Sequence, residues 1–227
     1  MCGVLGIAIK NFTEKDHDLV RGLFIQSMIR GKHATGVSYV KNKIVNTVKE
    51  PIPADEFISK QNLNDWVNED GNLYCIGHIR YSTSDLRYNQ PFATDRLGIV
   101  HNGVISQEPR ETWRETYGFE TETANDSELI LRALEENKHP LQEFPDASMA
   151  VCTIEADKTI TAFRNNERPL YCSIADKYFV FTSTQDIAKR SGLTNTKKCS
   201  MFNLYKIERM SAFEYVPFDK VNVEDLQ

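Results

Sequence analysis

Apolar positions along this chain alternate between a period of two and a helical period. "CGVLGIAI", residues 2–9, is short and almost wholly apolar, which predicts a buried strand. From Asp18 to Arg30, the residues Leu19, Val20, Leu23, Phe24, Met28 and Ile29 recur at helical spacing, and Gly31 is placed to close that helix. "GVSYV" and "KIVNTV" flank Lys41-Asn42 and predict a hairpin. "EPIPADEF" is a proline-marked loop leading into a short helix. "NLYCIGHIRYS" predicts a strand with a polar end, and "LGIVHNGVI" a strand broken by an Asn-Gly turn.

The second half follows the same grammar. Ser127–Asn137 predicts an amphipathic helix with Asn125 or Asp126 as its cap. Strands are expected near Ala147–Glu155, Thr159–Arg164, Leu170–Ile174 and Tyr178–Thr182. A helix near Gln185–Arg190 ends before Gly192, and late strands follow near Asn203–Glu208 and Ala212–Pro217. No repeat, low-complexity segment or linker interrupts the series. Many strands that pair in antiparallel fashion, with a few helices between them, predict one α+β domain over residues 1–227 with two sheets.

Composition narrows the function classes. The chain has 227 residues, 41% of them hydrophobic and 26% charged, as in an ordinary globular protein. A net charge of −5 argues against a nucleic-acid-coating surface, which needs clustered Lys and Arg. No apolar run approaches the roughly 18 residues of a membrane span, and the N-terminus lacks the pattern of a signal peptide, so a cytoplasmic protein is expected. The five cysteines include no C-x-x-C pair, which argues against a disulfide framework or a zinc site. Cys75, Cys152 and Cys172 lie in apolar alternating stretches and read as buried small hydrophobes.

Cys2 is different because of its position. Removal of Met1 would leave a chain starting with a thiol and a free α-amine on one residue. An amine with a pKa of about 7.7–8.0 accepts the thiol proton near neutrality, which an amide nitrogen cannot do. Alone, Cys2 is equally a permitted second residue. "GHIRYSTSD" ends a strand in Arg80, whose planar fork suits a carboxylate, with the Thr83 hydroxyl three residues on; the bland alternative is a surface ion pair. His78 alternates with Arg80 and reads as a structural histidine. Asn102 and Gly103 in "HNG" would supply a side-chain and a main-chain N–H to an oxyanion, or simply form a hairpin turn. Asp126 is placed to bind an ammonium group or to cap the helix that follows. Arg30 would face the nucleophile or satisfy the last helix carbonyls.

The order of these signals carries more than each alone. "MCGVLGI", "RGKHATG", "GHIRYSTSD", "QPF", "HNGVIS" and "NDSELIL" follow one another across residues 1–131. The series closely resembles the class II glutamine amidotransferase domain, an N-terminal-nucleophile hydrolase family, and within it most resembles the glutaminase domain of amidophosphoribosyltransferases. "FRNNERPLY" and "FVFTSTQDI" resemble an Arg-Pro-Leu hairpin and a following strand and helix of the family, extending the likeness to about residue 190.

The resemblance implies a four-layer αββα sandwich of two antiparallel sheets. It implies Cys2 as the nucleophile exposed by loss of Met1, and Asn102 and Gly103 as the oxyanion hole. It assigns Arg80 and Thr83 to the α-carboxylate of L-glutamine, Asp126 to its α-ammonium, and Arg30 to the neighbourhood of the nucleophile. No metal or cofactor is implied. Where relatives often carry Ser-Glu and Arg-Asp, this chain has Thr182-Ser183-Thr184 and Arg164-Asn165, departures expected to touch packing or partner contacts. Only some 35 residues follow Gly192, without the second domain that consumes ammonia in relatives. A separate synthase subunit, docking near Ser84–Asn89, is therefore the expected partner. A hydrolase of another γ-glutamyl amide and a non-catalytic regulatory domain of the same fold are the alternatives.

Overall fold

The computed structural model describes residues 1–82, 86–165, 168–208 and 216–217. Strands β1 (Gly3–Ile9), β2 (Ala34–Lys41), β3 (Ile44–Glu50), β4 (Leu73–Arg80), β9 (Tyr171–Ile174), β10 (Tyr178–Thr182) and β11 (Thr196–Lys198) form one sheet in the order β11-β9-β10-β1-β4-β2-β3. Strands β5 (Phe92–Ala93), β6 (Leu97–Val104), β7 (Ser148–Glu155), β8 (Ile160–Arg164), β12 (Leu204–Ile207) and β13 (Val216–Pro217) form the other, in the order β13-β12-β8-β7-β6-β5. Every described pairing is antiparallel.

Three apolar layers hold these sheets. β1 shows why its sequence is a continuous apolar run: Val4 and Ala8 face the second sheet, and Leu5, Ile7 and Ile9 face the helices. Between the sheets they meet Ile76, Val100, Ala150, Cys152 and Phe181. Outside the first sheet lie α1 (His17–Gln26), α2 (Ala54–Ser59) and α6 (Gln185–Arg190). Outside the second lie α3 (Arg110–Tyr117), α4 (Glu128–Glu135) and α5 (Pro140–Glu143), with Trp113, Leu129, Ile130 and Phe144 buried against it. The result is the expected αββα sandwich.

Several local expectations need correction. The first helix ends as a 3₁₀ turn, Ser27–Ile29, and a Cβ on Gly31 would lie 2.4 Å from the Arg80 carbonyl. Gly31 is thus needed for close passage of the loop over β4 rather than for a left-handed cap. The hairpin turn is Asn42-Lys43, with φ of 55° and 60°, one residue later than predicted. The Asn-Gly pair does not turn. It lies inside β6, where Asn102 pairs with Ala150 and Gly103 with Met149. α3, β5 and β11 were not expected. At α4, Asn125 Oδ1 accepts the Ser127 N–H at 3.1 Å, while Asp126 points elsewhere. Most of the late strand at Ala212–Pro217 lies outside the described residues, and Val216–Pro217 pairs with β12.

Candidate active site

Cys2 stands one residue before β1, at the end of the sandwich where β1 of one sheet meets β6 of the other. Its main-chain N donates to Asn102 Oδ1 at 3.0 Å, and its carbonyl accepts Arg30 Nε at 3.3 Å. Its Sγ lies 3.8 Å from the Tyr81 carbonyl oxygen. Burial pushes the Cys2 thiol above its ordinary pKa, against main-chain hydrogen bonding at Tyr81 and the positive charges of the N-terminus, Arg80 and Arg30. Such a thiol stays protonated until a base takes its proton. Cys75, Cys152 and Cys172 are buried, as expected, and so is Cys199; burial holds the Cys75 and Cys152 thiols above the usual range.

Asn102 is 2% exposed, and its orientation follows from its neighbour. A main-chain N–H donates only, so Oδ1 must face the Cys2 nitrogen, which leaves Nδ2 on the other branch of the amide. That Nδ2 is buried without a hydrogen-bond partner, and so is Arg30 Nη2. Buried donors are almost always satisfied, so an orphan beside a thiol is a group prepared for another acceptor. Gly103 follows at φ +156°, where an added Cβ would lie 1.8 Å from the Ser148 carbonyl oxygen. Glycine at this position lets β7 close on β6.

Arg80 ends β4 with 8% exposure. Its Nη1 donates to Tyr88 O and Asn89 Oδ1, both at 2.7 Å, so part of the fork secures the loop after the strand. Thr83, Ser84 and Asp85 lie outside the described residues. Asp126 Oδ2 accepts the main-chain N–H groups of Ile105 at 2.6 Å and Ser106 at 3.2 Å. The carboxylate therefore ties the start of α4 to the residues just past Gly103. The structure brings Cys2, Asn102 and Arg30 into direct hydrogen-bond contact. Arg80 joins them through its charge and through its neighbour Tyr81, and Asp126 through the end of β6.

A buried network behind Asn102 was missed in the sequence. His101 Nδ1 meets Ser127 Oγ at 2.8 Å, and its Nε2 meets Ser148 O at 3.2 Å. Gln90 brackets the same residue: Oε1 accepts the His101 N–H at 2.6 Å, and Nε2 donates to His101 O and Ser127 Oγ. Burial lowers the His101 pKa, so the ring is neutral at ordinary pH. Arg168, of the Arg-Pro-Leu stretch, donates from Nε to Ser148 Oγ at 3.2 Å, and its charge disfavours the charged forms of Arg30 and His101. Arg164 donates from Nη1 to Asn165 O and Arg168 O, and Asn165 Oδ1 accepts the Met149 N–H at 3.0 Å. Arg164-Asn165 thus seats the strand and loop that carry Ser148 and Arg168. Ser183 Oγ accepts the Val4 N–H at 2.8 Å, on the strand that follows Cys2. Among the described residues no group of three or more His, Cys, Asp and Glu could hold a metal. No helix among them is long and apolar enough to cross a membrane.

No protein-family profile matches the chain. It is 34% identical over 145 residues to the glutamine–fructose-6-phosphate aminotransferase (isomerizing) of Bartonella quintana, a match covering 59% of this chain and 22% of that protein. Its likeness to the enzyme of the same name from Bartonella henselae is 31% over 155 residues, covering 62% and 23%. The chain thus corresponds to less than a quarter of the length of these relatives. In fold it matches the glutamine phosphoribosylpyrophosphate amidotransferase of B. subtilis with a TM-score of 0.71 at 17% identity, over 96% of this chain and 49% of that one. A structure described as the allosteric regulatory enzyme of purine biosynthesis matches with a TM-score of 0.70, also at 17% identity, over 92% and 47%. The chain is thus similar in sequence to glutamine-dependent aminotransferases and shares its αββα fold with a glutamine amidotransferase structure.

Proposed function

We propose that the chain hydrolyses the side-chain amide of L-glutamine to glutamate and ammonia through a γ-glutamyl thioester on Cys2. The observation that carries this reading is the bond from Cys2 N to Asn102 Oδ1, with Asn102 Nδ2 buried and unpartnered beside it. Once Met1 is removed, the Cys2 nitrogen is an amine held by that same Asn102 oxygen. Its lone pair takes the thiol proton, and the thiolate adds to the amide carbon. The carbonyl oxygen becomes an oxyanion that receives hydrogen bonds from Asn102 Nδ2 and the Gly103 N–H. As the oxyanion collapses the carbon–nitrogen bond breaks, and the ammonium proton of Cys2 goes to the leaving nitrogen, releasing ammonia. Water, giving its proton to the amine, then attacks the thioester and frees glutamate and the thiol.

The remaining residues select the substrate. Arg80 and Thr83 receive the α-carboxylate and Asp126 the α-ammonium, so the amide of an α-amino acid reaches Cys2 in one orientation. Arg30 holds the Cys2 carbonyl and keeps the nucleophile in register with Asn102.

Ammonia that escapes to water becomes ammonium, which is not a nucleophile. A separate synthase chain over the mouth of the site is the partner this chemistry calls for. Ile29 and Tyr81 support that docking: they are 64% and 52% exposed, on segments carrying Arg30 and Arg80. The test is glutamate release by chain whose loss of Met1 is verified by intact mass. Cys2→Ala abolishes release, and a glutamine-like electrophile labels Cys2 alone of the five cysteines. Turnover retained in Cys2→Ala overturns the reading.

A further inference from the structure

His33 lies in the loop between the first helix and β2, and it grips the chain on both sides of Tyr81. Its main-chain N–H donates to Arg80 O at 3.0 Å. Its ring Nδ1 lies 2.8 Å from the Ser82 nitrogen. The ring also packs on the Tyr81 ring, with centroids 5.2 Å apart. The residue so held matters: the Tyr81 carbonyl faces Cys2 Sγ at 3.8 Å, Arg80 precedes it, and Ser82 leads into Thr83. One side chain therefore clasps the turn on which the nucleophile's neighbour and the carboxylate clamp both depend.

The protonation state of the ring follows from the partner. The Ser82 nitrogen is a main-chain donor, so Nδ1 must supply a lone pair and the proton of the neutral ring must be on Nε2. An imidazolium has protons on both nitrogens and would point N–H at N–H. The ring is exposed, and the cationic residues nearest to it along the chain and the strand register are Arg30 and Lys32 in its own loop and Arg80 at the end of β4. Tyr81, tilted against the ring just past β4, and Cys2, just before β1, are the further titratable neighbours. Glu50, at the end of β3 opposite Thr35, is the nearest acidic position in the strand register.

We infer that His33 is a positioning residue for substrate binding, whose neutral ring anchors the turn Arg80–Ser82 and whose protonation releases it. The inference rests on the proposed glutaminase reading for its kinetic consequence, but the anchor itself stands on the hydrogen bonds. Because the bond is at the surface, its loss changes the fraction of correctly placed turn by a modest factor. KM for glutamine should rise about two- to tenfold once the ring is protonated, the factor expected for one net hydrogen bond. The Cys2 amine also protonates in acid, but that lowers kcat in every variant alike, so KM separates the two effects.

The experiment combines kinetics with the Ser82 amide resonance of ¹⁵N-labelled protein. His33→Asn places an amide oxygen where Nδ1 accepts and does not titrate. In the parent, KM rises in acid and the Ser82 resonance moves with the titration of the His33 ring. In His33→Asn both stay flat, and KM matches the parent at alkaline pH. In His33→Ala, KM is raised at every pH. Parallel KM–pH curves for parent and His33→Asn, or a Ser82 resonance that ignores the His33 titration, overturn the inference. A preparation with no glutaminase activity at any pH would defeat the proposed function instead, and the Ser82 resonance would still decide the anchor.

Discussion

Replacing Gly103 by alanine tests how closely β7 is drawn onto β6 at the site. The new Cβ would lie 1.8 Å from Ser148 O and 2.6 Å from His101 Nε2, whereas side-chain carbons essentially never approach within 3.0 Å. The strands must therefore part by about 1 Å, the difference between those figures, at a place where both atoms belong to the backbone or to a buried ring. Three costs combine. An L-residue at φ +156° adds about 1–3 kcal/mol of strain. Overpacking adds about 1–3 kcal/mol. Displacing Ser148 O from His101 Nε2 forfeits a hydrogen bond worth about 1 kcal/mol. The total is about 3–7 kcal/mol, a large share of the roughly 5–15 kcal/mol that holds a domain together. Gly118, at φ +79° with nothing within 4 Å of its Cβ position, is the control, since alanine there incurs strain of only about 1–2 kcal/mol. Urea unfolding followed by circular dichroism measures both variants against the parent. If Gly103→Ala costs no more than Gly118→Ala, the reasoning from close approach is wrong.

Three further outcomes are expected. Asn102→Ala should fold and still be labelled at Cys2, but lose about 10²–10³ in kcat through the missing oxyanion donor; a loss confined to KM would remove Asn102 from that role. Arg80→Lys keeps the charge but not the fork, and should raise KM for glutamine while weakening the hold on Tyr88 and Asn89; unchanged kinetics would exclude Arg80 from the clamp. His78 is buried with Nε2 unpartnered, and burial, then the charge of Arg80, lower its pKa to about 3. The unfolded chain binds a proton there below about pH 6.5 while the folded chain does not, so stability falls as pH drops below that value, by up to about 1.4 kcal/mol per unit. Urea midpoints at pH 7 and 5 should show a slope that shrinks in His78→Gln, and an equal slope in both proteins would refute the assignment.

The elements legible in the sequence are those whose own residues carry the period. β1 and α4 bury the apolar positions that predicted them, because their faces are set by local alternation. α3 was not legible, because in "RETWRETY" only Trp113 is buried and one apolar residue defines no period. β11, "TKK", is a polar edge strand that exists because β9 offers it hydrogen bonds. The Asn-Gly pair misled in the same way: its local preference is a turn, but β7 continues alongside and holds it extended. At the site, Cys2, Arg30, Arg80, Asn102 and Asp126 were marked by chemical type and order. His33, Gln90, Ser127, Ser148 and Arg168 were not, because each acts only through partners that the fold brings near. His101 Nδ1 and Ser127 Oγ, for example, are 26 residues apart in the chain.

The bond between Cys2 N and Asn102 Oδ1 spans 100 residues and links the two sheets. Neither sheet alone holds both Cys2 and the amide that holds its nitrogen. A chain still emerging from the ribosome, with its first strand ready but β6 not yet docked, has Cys2 without the Asn102 side chain that holds its nitrogen. On the proposed reading, reaction with a substrate-like group at Cys2 waits for the sandwich to close. Covalent titration of Cys2 by a glutamine-like electrophile therefore counts closed molecules, and its time course after dilution from denaturant is a clock for the docking of one sheet on the other.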